Sequence, residues 1–229
     1  MKKISLLIFY LSLALSVFGS PPTQKKPTTT TITNISKTVV WAGIDYSLAK
    51  MIGNNNKFEY GFNVPDLIFP GMLEQWNKLF LDERIQRIST SLGRRILIDI
   101  ASVTERNKTA NEKQIVIDSS NKETIKETHI SQETIESEVQ SYKMMNTNGL
   151  GIVFIVDRLV YGVYATTSGK TSSAISAAGG AVYVVFFDVG TRQVISIKRK
   201  TSSTSSASNF RNFWFGPIKD ADSTLKLPK

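Results

Sequence analysis

Ala181 to Lys200, AVYVVFFDVGTRQVISIKRK, restricts the fold more than any other stretch of the chain. Val182 to Phe187 is a run of β-branched and aromatic residues, a composition that suits a strand and not a helix. Asp188-Val189-Gly190-Thr191 supplies a turn in which Gly190 is able to take positive φ. Val194 to Lys198 then returns as a second strand. The stretch is expected to be a β-hairpin at the centre of a sheet, with Val184 and Phe186 as core residues and not as a functional motif.

The other segments fit around that hairpin. Val39 to Ile44 and Leu150 to Val156 are almost continuously apolar, as in strands covered on both faces. Asp157 and Arg158 interrupt the second run before Val160 to Tyr164 resumes it. Ile96, Ile98 and Ile100 alternate with Leu97, Asp99 and Ala101, which predicts a strand. Pro70 to Leu92 reads as a long helix, with Pro70 at its first position and Gly93 just past its end. Its apolar residues form two stripes: Met72, Leu73, Trp76, Leu79 and Phe80, then Leu81, Ile85, Ile88 and Leu92. A short strand is expected near Gln114–Asp118 and a helix near Ser131, while Thr166–Gly180 and Thr201–Ser208 read as loops. The order predicts an α+β or α/β two-layer domain: a mixed sheet, the long packed helix Pro70–Leu92 and a central C-terminal β-hairpin.

The ends and the charge bear on compartment and partners. Met1–Gly19 has a positive start, an uncharged apolar run from Ile4 to Phe18 and a Pro21-Pro22 stop, the form of a secretory signal peptide. The apolar run falls short of the roughly 20 residues that span a bilayer, so no transmembrane segment is expected once it is removed. Residues 20–38 read as a Pro/Thr/Lys-rich linker, and 39–229 as one globular domain with a polar insertion at 104–143. An exported chain with no Cys must be held by its core, which favours a bacterial periplasmic or secreted protein. Asn107-Lys108-Thr109 matches a glycosylation acceptor, and in that setting the match is read as chance. Of the net charge of +9, residues 192–229 carry eight basic and two acidic side chains. That excess favours polyanionic partners.

Candidate site residues are few. Asp45, Asp99, Asp157 and Asp188 each stand at or near a predicted strand end, and Glu83 lies on the first helix stripe. Converging, they would form the carboxylate site of a hydrolase. Spread apart, they cap turns or pair with arginines. The basic section offers Lys198, Arg199, Lys200 and Arg211 beside Phe210, Phe213, Trp214 and Phe215. These form either a binding surface for a protein or acidic glycan or, in the case of the aromatics, a clasp that closes the C-terminus. Nucleic acid is disfavoured by export. His129, the single His, stands in a polar segment and reads as solvated; with no Cys, a Cys/His metal site is excluded. Gly169-Lys170-Thr171 has Tyr164 where a phosphate-binding loop needs Gly, and no cofactor is expected.

IVFIVDRLVYG and AVYVVFFDVGTRQVI, with Asp188, Thr191 and Val194 in an Asp…Thr…Val arrangement, resemble the later half of domains in the curli-secretion-channel lipoprotein family and related envelope assembly proteins. The resemblance covers Gly149–Thr201. The lipidation Cys of that family is missing, and Thr166–Ala178 lacks the alternating apolar face of a membrane hairpin. The resemblance implies an α/β domain used in envelope assembly or interaction. The leading expectation is therefore a non-enzymatic exported interaction module. The alternatives are an exported hydrolase and a polyanion-binding protein. The sequence does not give the oligomeric state.

Overall fold

The apolar runs become strands of one mixed seven-stranded sheet in an α+β fold. The computed structural model describes residues 38–53, 71–117, 129–168, 171–203, 210–223 and 225–228, with the backbone alone at 52–53, 112, 115–117, 160–168, 171–178, 203 and 210–214. Residues of the linker and of the helix start at Pro70 lie outside this set. All the described residues belong to one compact unit, Thr33–Lys229.

The strands are β1 (Thr38–Asp45), β2 (Lys50–Gly53), β3 (Arg95–Ile98), β4 (Ile115–Ile117), β5 (Leu150–Ser168), β6 (Thr171–Asp188) and β7 (Val194–Ser203). The helices are α1 (Leu73–Leu92), α2 (Ala101–Asn107), α3 (Gln132–Ser141) and α4 (Phe210–Ser223). The 19-residue β5 is the spine. Along one side it pairs in parallel first with β1 and then with β2, and along the other it pairs antiparallel with β6. Strand β3 extends the sheet beyond β1, β4 beyond β2, and β7 beyond β6.

Alternation along the strands sends side chains to two cores. Trp41, Phe154, Val184 and Phe186 meet α1 and α4 on one face. Val40, Val153, Val185 and Phe187 meet α2 and α3 on the other. In the first core the Trp41 and Phe80 rings stack 4.7 Å apart, and Phe154 meets Trp41 edge-on at 4.9 Å. In the second, the Phe187 ring lies over Gly151, its cross-strand neighbour; a Cβ there would come within 2.3 Å of the ring. Gly93, at φ 58°, ends α1 as expected. Ser131 caps α3 by accepting a hydrogen bond from the Thr134 amide at 3.2 Å.

Three local expectations are corrected. The described part of Thr166–Gly180 is not a loop: β5 runs to Ser168, β6 begins at Thr171, and the two stay paired antiparallel over these residues. Backbone pairing with a partner already in register carries a Ser/Ala/Gly-rich segment whose side chains show little strand preference. The strand expected at Ile96–Ile100 stops at Ile98: the Asp99 amide makes a last bond to the Trp41 carbonyl, and α2 begins at Ala101. In the β6–β7 turn the positive φ belongs to Arg192 (58°), not Gly190. The Arg192 guanidinium donates to the Tyr142 carbonyl at 2.6 Å, which offsets the cost of that backbone. Gly190 is required for a different reason: a Cβ there would come within 2.8 Å of the Thr147 carbonyl oxygen.

Candidate functional site

Strands β1 and β2 meet β5 on the same side, so the sheet has a break where one ends and the other begins. Asp45 pairs with Ile155 and Lys50 with Arg158; between them the chain turns through Tyr46–Ala49, and β5 bulges at Asp157. Three amide side chains hold this corner. Asn77 of α1 accepts from the Ile44 amide at 2.8 Å and donates back to its carbonyl at 3.0 Å. Asn107, at the end of α2, accepts from the Tyr46 amide and donates to the Ile44 carbonyl. Gln114 donates to the Tyr46, Ser47 and Ala49 carbonyls. Asn107 is buried with both ends of its amide engaged, so the sequon match at this residue cannot be glycosylated in the folded chain. Spacing in the sequence gave no signal for these contacts, because the partners lie 33 to 68 residues apart.

Buried Asp45 accepts from the Tyr142 hydroxyl at 2.8 Å, from the Ser47 amide at 2.8 Å and from Arg106 Nε at 3.2 Å. Arg106 also pairs with Glu138 and lies over the Tyr142 ring. Buried Asp157 accepts from Arg199 Nη2 at 3.0 Å, and Arg158 Nε lies 3.4 Å from the same oxygen. His129 is exposed, as expected, and its Nδ1 also lies 2.8 Å from Arg158 Nη2 and 3.4 Å from Asp157. Its partners follow it in the sequence at a distance that spacing does not reveal. Asp188 accepts from the Thr191 amide and hydroxyl within the β6–β7 turn. Asp99 accepts from the Asn146 amide and side chain, both at 2.8 Å and both on Oδ2. Glu83, on the first helix stripe, is about half exposed and faces Lys219 at 3.7 Å, while its neighbour Arg84 makes the partly buried ion pair, with Asp222. Each of the five candidate acids has its own partners. Among the described residues no group of three or more acidic or His side chains comes together to hold a metal.

The basic candidates are divided. Alternation along β7 puts Arg199 on the face of Asp157, whereas Lys198 and Lys200 stand opposite Val184 and Val182 and point to the α1/α4 side. The side chains of Phe210, Arg211, Phe213 and Trp214 lie outside the described residues. Phe215 is buried with Ile218 and Ala221, as the clasp expectation requires for that residue. Gly180 lets α4 come down on the sheet, since a Cβ there would meet Pro217 at 2.9 Å.

Burial pushes the hydroxyls of Tyr46 and Tyr142 well above the ordinary tyrosine range, and the nearby Asp45 charge adds to the effect at Tyr142. Folding thus favours the neutral hydroxyls. Their contribution is intact below about pH 10, the unfolded value, and is lost as pH rises toward the folded-state values. Stability is expected to fall in alkali from that point upward. The two residues are expected to respond differently to loss of the hydroxyl. The Tyr46 hydroxyl is buried with no hydrogen-bond partner, so Tyr46→Phe should be neutral or stabilising. Tyr142→Phe strips a bond from the buried Asp45 and should cost about 1.5–3 kcal/mol. Urea titrations at pH 7 and pH 11 check both points.

A scan of the chain against protein-family models finds no match, and a comparison with curated proteins finds none either. Among solved structures the chain is similar to a Helicobacter pylori protein provisionally identified as a homolog of the neuraminyllactose-binding hemagglutinin. The two share 14% identity over 81% of this chain and 73% of that one, with a TM-score of 0.27, a likeness too slight to carry an argument about fold or function. Among the described residues no helix is long and apolar enough to cross a membrane.

Proposed function

We propose that the chain is an exported, non-enzymatic interaction module of a bacterial envelope that holds a protein or acidic glycan partner through the basic outer strand β7. The observation that carries this reading is how the charges are used. Asp45 and Asp157 are engaged by arginines inside the fold, while Lys198 and Lys200 have no acidic partner among the described residues. Fixed, paired carboxylates serve structure; unpaired ammonium groups on an outer strand attract anions. The signal-like leader Met1–Gly19 and the resemblance of Gly149–Thr201 to envelope assembly domains belong to the same reading.

The test is retention on heparin, used as an acidic glycan, together with thermal melting. The double variant Lys198→Glu/Lys200→Glu is expected to weaken binding by about tenfold or more, with the melting temperature unchanged. Binding by the parent chain should fall as salt rises. Heparin binding that is unaffected by the double substitution would remove β7 from the proposal.

A further inference from the structure

We propose that two copies of this chain pair through the open edges of their β3 strands, antiparallel about a two-fold axis at Leu97. Strand β3 ends the sheet: it pairs with β1 on one side, and no described strand lies beyond it. The outer strand β7 carries Lys198, Arg199 and Lys200, charges that oppose strand addition. The β3 sequence RILI has a single charge, at Arg95, and Ile98 is 51% exposed.

The backbone fixes which groups are free. Trp41 pairs with Ile98 in parallel register, and its carbonyl accepts from the Asp99 amide at 2.9 Å. In a parallel ladder, alternate residues face a given neighbour. Arg95, Leu97 and Asp99 therefore direct their peptide groups to β1, and Ile96 and Ile98 direct theirs to the open edge. A two-fold antiparallel pairing must oppose edge-facing residues. It permits Ile96 against Ile96, Ile96 against Ile98, or Ile98 against Ile98. The first sets Arg95 against Leu97, and the third sets it against Ala101, already in α2. Only the middle register sets Arg95 of each copy against Asp99 of the other.

That register answers a second observation. Asp99 is 1% exposed, its Oδ2 takes both Asn146 bonds, and its Oδ1 has no hydrogen-bond partner. Among the described residues Asp99 forms no ion pair. A buried carboxylate without a cation is costly, and an antiparallel neighbour would bring one to it from across the edge. Asp99 is covered in the single chain, so the arginine reaches it only as the Met145–Asn146 stretch shifts; Met145 is 72% exposed. Two symmetric Arg95–Asp99 pairs would bracket Leu97 on one face, and on the other face each Ile98 would lie against Ile96 of the second copy. A closed two-fold contact of this kind uses one patch twice.

Because the chain has no Cys, a single introduced Cys reports the register. In the proposed arrangement the two Leu97 residues form a pair that is not hydrogen-bonded, with Cα atoms about 4.5 Å apart, within disulfide range. Leu97→Cys is expected to form a covalent dimer on mild oxidation, and Arg95→Cys is not, since its two copies lie several residues apart. Sedimentation of the full chain is expected to give twice the monomer mass. Arg95→Glu should weaken self-association by about tenfold or more by opposing like charges. Ile98→Lys should weaken it as well by charging the edge, with the melting temperature of the dilute monomer unchanged. A chain that sediments as a monomer at every concentration would overturn the proposal, as would cross-linking of Arg95→Cys in preference to Leu97→Cys.

Discussion

Replacing Phe186 with Ala is expected to destabilise the chain by about 3–5 kcal/mol, the range for emptying an aromatic site in a packed core. Phe186 is fully buried in the face that meets α1 and α4, and it stands on β6 directly across from Ile152 of β5. Neighbours on both strands are fixed by the ladder, so the cavity cannot close by a slide of one residue. Val184, two residues back on the same face, loses less surface on truncation; about 1.5–3 kcal/mol is expected there. Ile195, on β7, is partly exposed and should change little when cut to Ala. The ranking Phe186, Val184, Ile195 is the signature of a hairpin whose first strand is internal and whose second lies at the sheet's edge. Urea denaturation of the three variants checks it. A Phe186→Ala chain that melts within about a degree of the parent, where several degrees are expected for a loss of this size, would mean that the sheet is not organised around this hairpin.

The hairpin illustrates what the sequence makes legible. Val182–Phe187 and Leu150–Val156 announce themselves because burial on two faces demands apolar residues at successive positions. Helix α1 is legible through its stripes and through Gly93, and α3 through its Ser131 cap. The continuation of β5 and β6 past Asp157 is not, since Ser, Ala and Gly show no period and the pairing is imposed by a strand already in place. Strand β2 and helix α2 were also missed, being 4 and 7 residues long, too short for a period to register. The acids at Asp45, Asp99, Asp157 and Asp188 were found by position along the chain. What each one does depends on arginines, tyrosines and amides brought by other elements, and linear spacing carries no record of those. Arg84 was overlooked for the same reason: beside Glu83 it looks like ordinary surface charge, and its partner lies 138 residues away.

That overlooked arginine carries the second large expectation. Arg84 holds Asp222 with two parallel bonds, Nε to Oδ2 at 2.5 Å and Nη2 to Oδ1 at 2.6 Å, and so ties α1 to α4. The hydrogen bond that Arg84 donates to Asp222 raises the guanidinium pKa further above its usual value. The two partners are unequally buried: the Asp222 side chain is 1% exposed and that of Arg84 is 15%. Arg84→Ala therefore strands a carboxylate with no access to water and is expected to cost about 3–5 kcal/mol. Asp222→Ala leaves an arginine whose flexible head can reach solvent, so a smaller loss is expected. Replacing both, as Arg84→Met/Asp222→Leu, removes the charges together and should return the chain to within about 1–2 kcal/mol of the parent, because apolar packing substitutes for a buried pair at little net cost. The order of stability expected from urea denaturation is parent and double variant together, then Asp222→Ala, then Arg84→Ala. Equal losses for the two single Ala variants would show that the pair acts through its packing alone. A double variant as unstable as Arg84→Ala would show that α4 depends on the charges themselves to close over the sheet.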